Sequence, residues 1–240
     1  MRAPTFVLAL LLAVAAPAAA QEWTEYQNIQ DGFKVDFPGQ PTVTESFWTT
    51  EQNYILPARV YSAEMGGGRY SMTVVDYSVI DRLGMERSEK CPVGAETCQG
   101  QPTGQLLNVI GPGYARQDIR AALVYASFKY LQRDAKVTEY LWNWQDLIEG
   151  HQIHLTNKAD QSRTFVFIAM HENKLYMLEA TVPKGYPEPG LFQQSLGYVD
   201  KNGNGIRYQE IYSNQFHALG VYPVPPRAGR GGQPPAVPAR

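Results

Sequence analysis

Asp200-Lys-Asn202-Gly-Asn204-Gly205 places oxygen-bearing side chains at positions 1, 3 and 5 and glycine at position 6, the first half of an EF-hand calcium loop. The second half departs from that pattern. Arg207 and Ile211 stand where the loop needs an apolar residue and a bidentate Glu, and Glu210 comes one residue early. A hairpin joining LGYVD to IRYQEIY through Asn-Gly pairs explains the same residues. Asp200, Asn202 and Asn204 are therefore kept as a calcium candidate against that hairpin reading, and no other metal or cofactor is expected.

The histidines and cysteines are the other reactive groups. His151 and His154 are three apart on an expected strand, which sends their side chains to opposite faces and argues against a shared zinc. His171, before a hairpin turn, and His217 are read as solvated or locally bonded. Cys91 and Cys98 lie in SEKCPVGAETCQGQPTG with six residues between them, not the two of a redox or zinc motif. In an oxidising compartment they are expected to pair, stapling a loop near 88–104, with about 2 to 3 kcal/mol from closing so short a ring. No Gly-x-Ser-x-Gly elbow occurs, so a hydrolytic triad would have to be assembled by folding. Asp and Glu are taken as surface residues by default.

The compartment follows from residues 1–20, MRAPTFVLALLLAVAAPAAA, which read as a signal peptide: Arg2, an apolar run from Phe6 to Val14, and small residues at Ala18 to Ala20. The run is shorter than the roughly 20 residues a membrane span needs, and no cysteine follows for a lipid anchor. A soluble periplasmic or secreted protein without a transmembrane anchor is expected. The formal charge of −2 gives no electrostatic reason to bind nucleic acid. Fifteen Tyr, nine Phe and four Trp suit the half-buried faces of strands better than a binding platform.

The elements that must position these groups are mostly strands. WTEYQNI, GFKVDFPG, PTVTESFWTT, ILPARVYSAEM and RYSMTVVDYS predict a meander with turns at Asp31-Gly32 and Gly66-Gly68. A helical turn is expected over Val79 to Met85. Ile119, Leu123, Ala126 and Tyr130 recur at helical spacing and predict one long helix near 114–133. KVTEYLWNW, DLIEGHQIHLTN, TFVFIAMH and KLYMLEATV follow as strands, with a tight turn at Glu172-Asn173. TFVFIAMH is apolar on both faces, which predicts a central strand covered on each side by helices. PEPGLFQQSLG reads as a short final helix. One α+β domain over 21–215 is expected, then a Pro/Gly-rich tail, 216–240, unable to bury apolar surface and expected to be disordered.

The GFKVDFPGQP stretch from Phe33 to Pro41, the NKLYMLEATVPKGY stretch from Lys174 to Pro183, and a helix carrying Gln194-Ser195-Leu196 resemble the PsbP-like family, named for an extrinsic subunit of photosystem II. The chain also resembles exported bacterial proteins of no assigned activity. The resemblance covers the framework of about 23 to 197. It implies an antiparallel sheet sandwiched between helices, and accessory or binding roles without catalysis. It carries over no metal or partner site, because the cysteine loop and the extension past Tyr198 depart from the family. The function expected is a non-catalytic binding or accessory module of the cell envelope, meeting an envelope protein or small ligand at the cysteine loop or in the groove between sheet and long helix. The alternatives are an envelope hydrolase with a spatially assembled site and a calcium-stabilised structural module.

Overall fold

The computed structural model describes residues 22–90 and 113–214. Residues 1–20, expected to be a signal peptide, Cys91 and Cys98, His217 and the stretch from 216 lie outside the described residues. Among the described residues no helix is long and apolar enough to cross a membrane.

Strands appear where side chains alternate. β1 (Trp23–Asn28) and β2 (Phe33–Pro38) form an antiparallel hairpin, with Phe33, Val35 and Phe37 buried on one side. β3 (Thr42–Thr49), β4 (Ile55–Met65) and β5 (Gly68–Asp76) form the meander. α1 (Ile80–Glu89) follows, longer than the single turn the spacing suggests, and α2 (Gly113–Leu131) is the long helix. β6 (Ala135–Gln145), β7 (Ile148–Asn157), β8 (Arg163–His171) and β9 (Lys174–Val182) complete a seven-stranded antiparallel sheet in the order β3-β4-β5-β9-β8-β7-β6. α3 (Gly190–Gln193) is a single turn, and β10 (Gly197–Tyr198) pairs with β2.

The covering of the large sheet corrects one expectation. The two longer helices lie on one face: Ile119, Ala122, Ala126 and Tyr130 of α2 pack against Leu56, Val75, Ile153, Val166 and Ile168. The opposite face is covered by a second, three-stranded sheet, ordered β1-β2-β10, together with α3. Phe33, Val35 and Phe37 there meet Tyr61, Tyr70, Met72, Phe165 and Phe167. The first hairpin thus leaves the meander, because its alternating apolar side chains serve as a lid for a neighbouring sheet. β8, buried on both faces, divides two cores. Each fully buried Phe or Leu adds about 1.5 to 3 kcal/mol of transfer free energy, so both layers contribute substantially.

Carboxylates also depart from the surface default. Asp31, 3% exposed, accepts hydrogen bonds from Arg59 Nη2 and Tyr61 Oη, both at 2.5 Å, and its main-chain carbonyl accepts from Tyr176 Oη at 2.7 Å. Burial, then the neighbouring carboxylate, pushes the Tyr61 hydroxyl well above its ordinary range. Asp118 of α2 is buried against the β3–β4 turn, where it accepts from Thr50 Oγ1 and from Gln52 N–H at 3.1 Å. Its carboxyl is raised by burial, against the pull of those two hydrogen bonds. These two acids fasten a hairpin and a helix to the sheet.

Candidate functional site

Among the described residues, two hollows stand out by size. The larger, about 530 Å³, lies over the part of the large sheet bearing Ser62, Arg69, Ser71 and Thr181. Of its two carboxylates, Glu64 and Glu179, the second is closed off by Arg133 at 2.7 and 3.0 Å and by Tyr130 Oη at 2.9 Å. This is a polar sheet face whose Glu179 is already paired. The smaller, about 330 Å³, is a cleft between the β6–β7 hairpin and α3, and its chemistry is more open.

The hairpin places one wall. Asp146 and Leu147 turn it with φ of 48° and 60°, left-handed backbone that a leucine rarely adopts. The turn is held from outside, since Tyr212 N–H donates to the Leu147 carbonyl at 2.8 Å and Glu149 N–H to the Tyr212 carbonyl at 3.1 Å. The other wall is α3, whose Phe192 sinks between Phe37 and Tyr70 at ring separations of 5.4 and 5.3 Å. Ser195 Oγ accepts from Asp36 N–H at 2.9 Å, tying this wall to β2. Gly150 sets the floor. A Cβ there would meet the Ile168 carbonyl oxygen at 2.3 Å and the Phe167 ring at 2.7 Å, so only glycine lets Phe167 lie flat beneath the cleft.

The lining is rich in side-chain amides. Asn143 Nδ2 donates to Gln152 Oε1 at 2.5 Å, and Gln152 Nε2 donates to Glu139 Oε1 at 2.6 Å. His154 Nδ1 lies 3.4 Å from the same Glu139 oxygen. Gln145 Nε2 reaches across to the Gln193 carbonyl at 2.5 Å, while its own Oε1 is buried and has no hydrogen-bond partner. Gln194 stands at the cleft too, whereas Trp144 projects from the opposite face of the sheet, beside Trp142. Amides both donate and accept, and beside an aromatic ring they suit an uncharged ligand carrying hydroxyl or amide groups.

The residues singled out in the sequence scatter. His151 and His154 do take opposite faces of β7. His151 Nδ1 lies 2.8 Å from Ser127 Oγ and 3.1 Å from Tyr140 Oη, and burial lowers the imidazole below its usual range. This serine and histidine do not form a hydrolytic pair. Ser127 is buried in α2 and donates back to the Leu123 carbonyl at 2.9 Å, leaving no room for a substrate. His171 is neither solvated nor bonded nearby in sequence. It is 2% exposed, enclosed by the rings of Tyr198, Tyr208 and Tyr212, with Nε2 2.7 Å from Tyr208 Oη. Burial, with a smaller contribution from Lys174, lowers it to about 4.

Asp200 forms a tight turn. Its Oδ1 accepts from Asn202 N–H at 2.8 Å and Asn204 N–H at 2.9 Å, and its Oδ2 from Asn204 Nδ2 at 3.2 Å. Those bonds to Asn204 and Asn202 hold the carboxyl below its ordinary value. The expected LGYVD–IRYQEIY hairpin shrinks to a bridge between Val199 and Gly205, because Gly197 and Tyr198 pair with β2 instead. The groove expected between sheet and long helix is filled by the α2 core residues. The amide cleft itself escaped the sequence reading. Its signal was the density of Asn and Gln in NWQ, in Gln152 and in Gln193-Gln194, two segments that only the fold brings together.

No protein-family model matches the chain, and no curated protein matches it. Among solved structures, the chain is similar to the solution structure of cyanobacterial PsbP from Synechocystis sp. PCC 6803. The two share 8% sequence identity at a TM-score of 0.41, over 79% of this chain and 99% of that one. The likeness is one of fold and says nothing of activity.

Proposed function

We propose that this protein is an exported, non-catalytic accessory module that binds a neutral saccharide in the cleft between the β6–β7 hairpin and α3. The observation that carries the reading is the lining: Asn143, Gln152 and Gln194 offer paired donors and acceptors beside the Phe167 ring, and Gln145 keeps a buried carbonyl oxygen without a partner. Sugar hydroxyls both donate and accept, and sugar C–H faces pack on aromatic rings such as Phe167. The export address rests on residues 1–20 of the sequence.

The test is thermal unfolding with chito-oligosaccharides, cello-oligosaccharides and peptidoglycan fragments as probes. A binding saccharide at a hundred times its Kd stabilises by about 2.7 kcal/mol and raises the midpoint. Gln152→Ala and Asn143→Ala should abolish that rise. No shift with any of the probes, or a shift indifferent to both substitutions, overturns the reading. The contact between His154 and Glu139 favours a second one, in which the imidazole activates a water for hydrolysis of the same ligand. Release of new reducing ends, lost in His154→Ala, would establish it; an intact bound saccharide would remove it.

A further inference from the structure

Two Asn-Gly pairs follow each other in the turn after β10, Asn202-Gly203 and Asn204-Gly205, and both asparagines are exposed. Asparagine is thermolabile, and a following glycine makes it more so. With no Cβ in the way, the glycine nitrogen can reach the asparagine Cγ and close a five-membered succinimide ring. In an unfolded chain the two pairs would age alike. The fold sets them apart.

Asn202-Gly203 is pinned on both sides. Gly203 N–H donates to the Asp200 carbonyl at 2.9 Å, so the nitrogen that would have to attack is engaged. The Gly203 carbonyl accepts from Gln27 Nε2 at 2.9 Å, and a Cβ at Gly203 would stand 2.9 Å from that same nitrogen and 3.3 Å from Ile29. Gly205 is the opposite case. It bridges to Val199 through flanking hydrogen bonds, from Asp200 N–H to the Asn204 carbonyl at 2.9 Å and from Ile206 N–H to the Tyr198 carbonyl at 2.8 Å. In that antiparallel register the Gly205 N–H points away from Val199. Among the described residues it has no acceptor, and a Cβ at Gly205 would meet nothing within 4 Å. The Asn204 amide is held by an exposed bond, Nδ2 to Asp200 Oδ2 at 3.2 Å.

We propose that Asn204 is a self-modification site, converted by water to an aspartyl or isoaspartyl residue while Asn202 is protected, and that the conversion undoes the turn built on Asp200. Gly205 N bonds to Asn204 Cγ as the Cγ–Nδ2 bond breaks, and Nδ2 leaves as ammonia with the proton shed by Gly205 N. Water then opens the ring at either carbonyl. One water is consumed, one ammonia is released, and nothing is oxidised or reduced. The aspartyl product sets a second carboxylate against Asp200 where a donor stood, and like charges at that range repel. The isoaspartyl product adds a methylene to the main chain inside the bridge, which draws Ile206 N–H off the Tyr198 carbonyl.

The test incubates the full chain at mildly alkaline pH, folded and unfolded in guanidinium, and maps it by tryptic peptides. Cleavage after Lys201 and Arg207 leaves both asparagines in one peptide, Asn202-Gly203-Asn204-Gly205-Ile206-Arg207, and fragmentation shows which has exchanged NH for O. In the folded chain position 204 should convert faster than 202 by up to about tenfold, the effect of one net hydrogen bond, and unfolding should erase the difference. Asn204→Gln, which keeps an amide but closes its ring far less readily, should abolish conversion there and leave the thermal midpoint where it was. Hydrogen exchange at the Asn202 and Ile206 amides should quicken in step with conversion. Position 202 converting as fast as 204 in the folded chain overturns the proposal. So does a folded chain that stays intact while the unfolded one converts, or conversion at 204 with amide exchange unchanged.

Discussion

Two polar regions of this molecule use similar side chains to opposite ends. Around Asp31, a carboxylate, an arginine and two tyrosines are drawn into one corner in which each carboxylate oxygen and the main-chain carbonyl has its donor. In the cleft beside α3, the amides of Asn143 and Gln152 are linked to each other and to Glu139, yet they border open space, and Gln145 Oε1 is left over. Closed polar networks belong to the scaffold, since their bonds are spent on holding elements together. Networks with unspent capacity on a rigid frame are where a ligand completes the set.

Breaking the closed region should cost most. Asp31→Ala leaves Arg59 and Tyr61 without their acceptor and should destabilise by about 3 to 5 kcal/mol in urea unfolding. A loss below about 1 kcal/mol would mean that the corner is not a fastening. His171 is the next lever. Its folded-state value of about 4 lies below the unfolded value near 6.5, so the neutral ring is favoured on folding. That contribution is complete above pH 6.5 and is lost as pH falls towards 4, for a maximum of about 3 kcal/mol. The difference in stability between the parent chain and His171→Gln, followed from pH 7 to 4, should show that slope; parallel curves would place the ring outside the closed set.

Gly150→Val tests the floor of the cleft. The new side chain must displace Phe167, at a cost of about 1 to 3 kcal/mol, and saccharide binding should fall with it. Retained binding would separate the floor from the site. The smallest effect on stability sharpens the comparison most. Gln152→Ala should change unfolding free energy by less than about 1 kcal/mol while removing the ligand-induced rise in midpoint. A large stability loss without a binding defect would reassign the cleft to the scaffold.

The strands were legible because alternation and glycine turns are local signals, as in Phe33 to Phe37 and at Gly66 and Gly67, which turn with φ of 59° and 79°. The long helix was legible from Ile119, Ala126 and Tyr130, and ends at Leu131. The second sheet was not, since it is completed by two residues of β10 that find β2 far along the chain. Burial of Asp31 and His171 was equally hidden. Both sit next to turns, where ionisable residues are normally wet, and their enclosure depends on Arg59, Tyr61 and Tyr208 arriving from elsewhere. The opposite facing of His151 and His154 followed from strand geometry alone. The cleft could not, because register, not sequence proximity, sets its amides opposite α3.

The pairing of β10 with β2 also imposes an order of events. Phe33 and Lys34 wait for Tyr198 and Gly197, and Asp36 waits for Ser195, so the first hairpin made is among the last to be locked. Closing so long a loop costs entropy, which makes completion of the second sheet by β10 a late and comparatively slow step, although Asp31 already ties the hairpin to Arg59 and Tyr61. A ribosome or a translocation pore would release the N-terminal hairpin long before its lid position exists. Until Gly197 and Tyr198 emerge, β2 lacks its second neighbour, and the chain stays pliable enough to be threaded or handed to a chaperone.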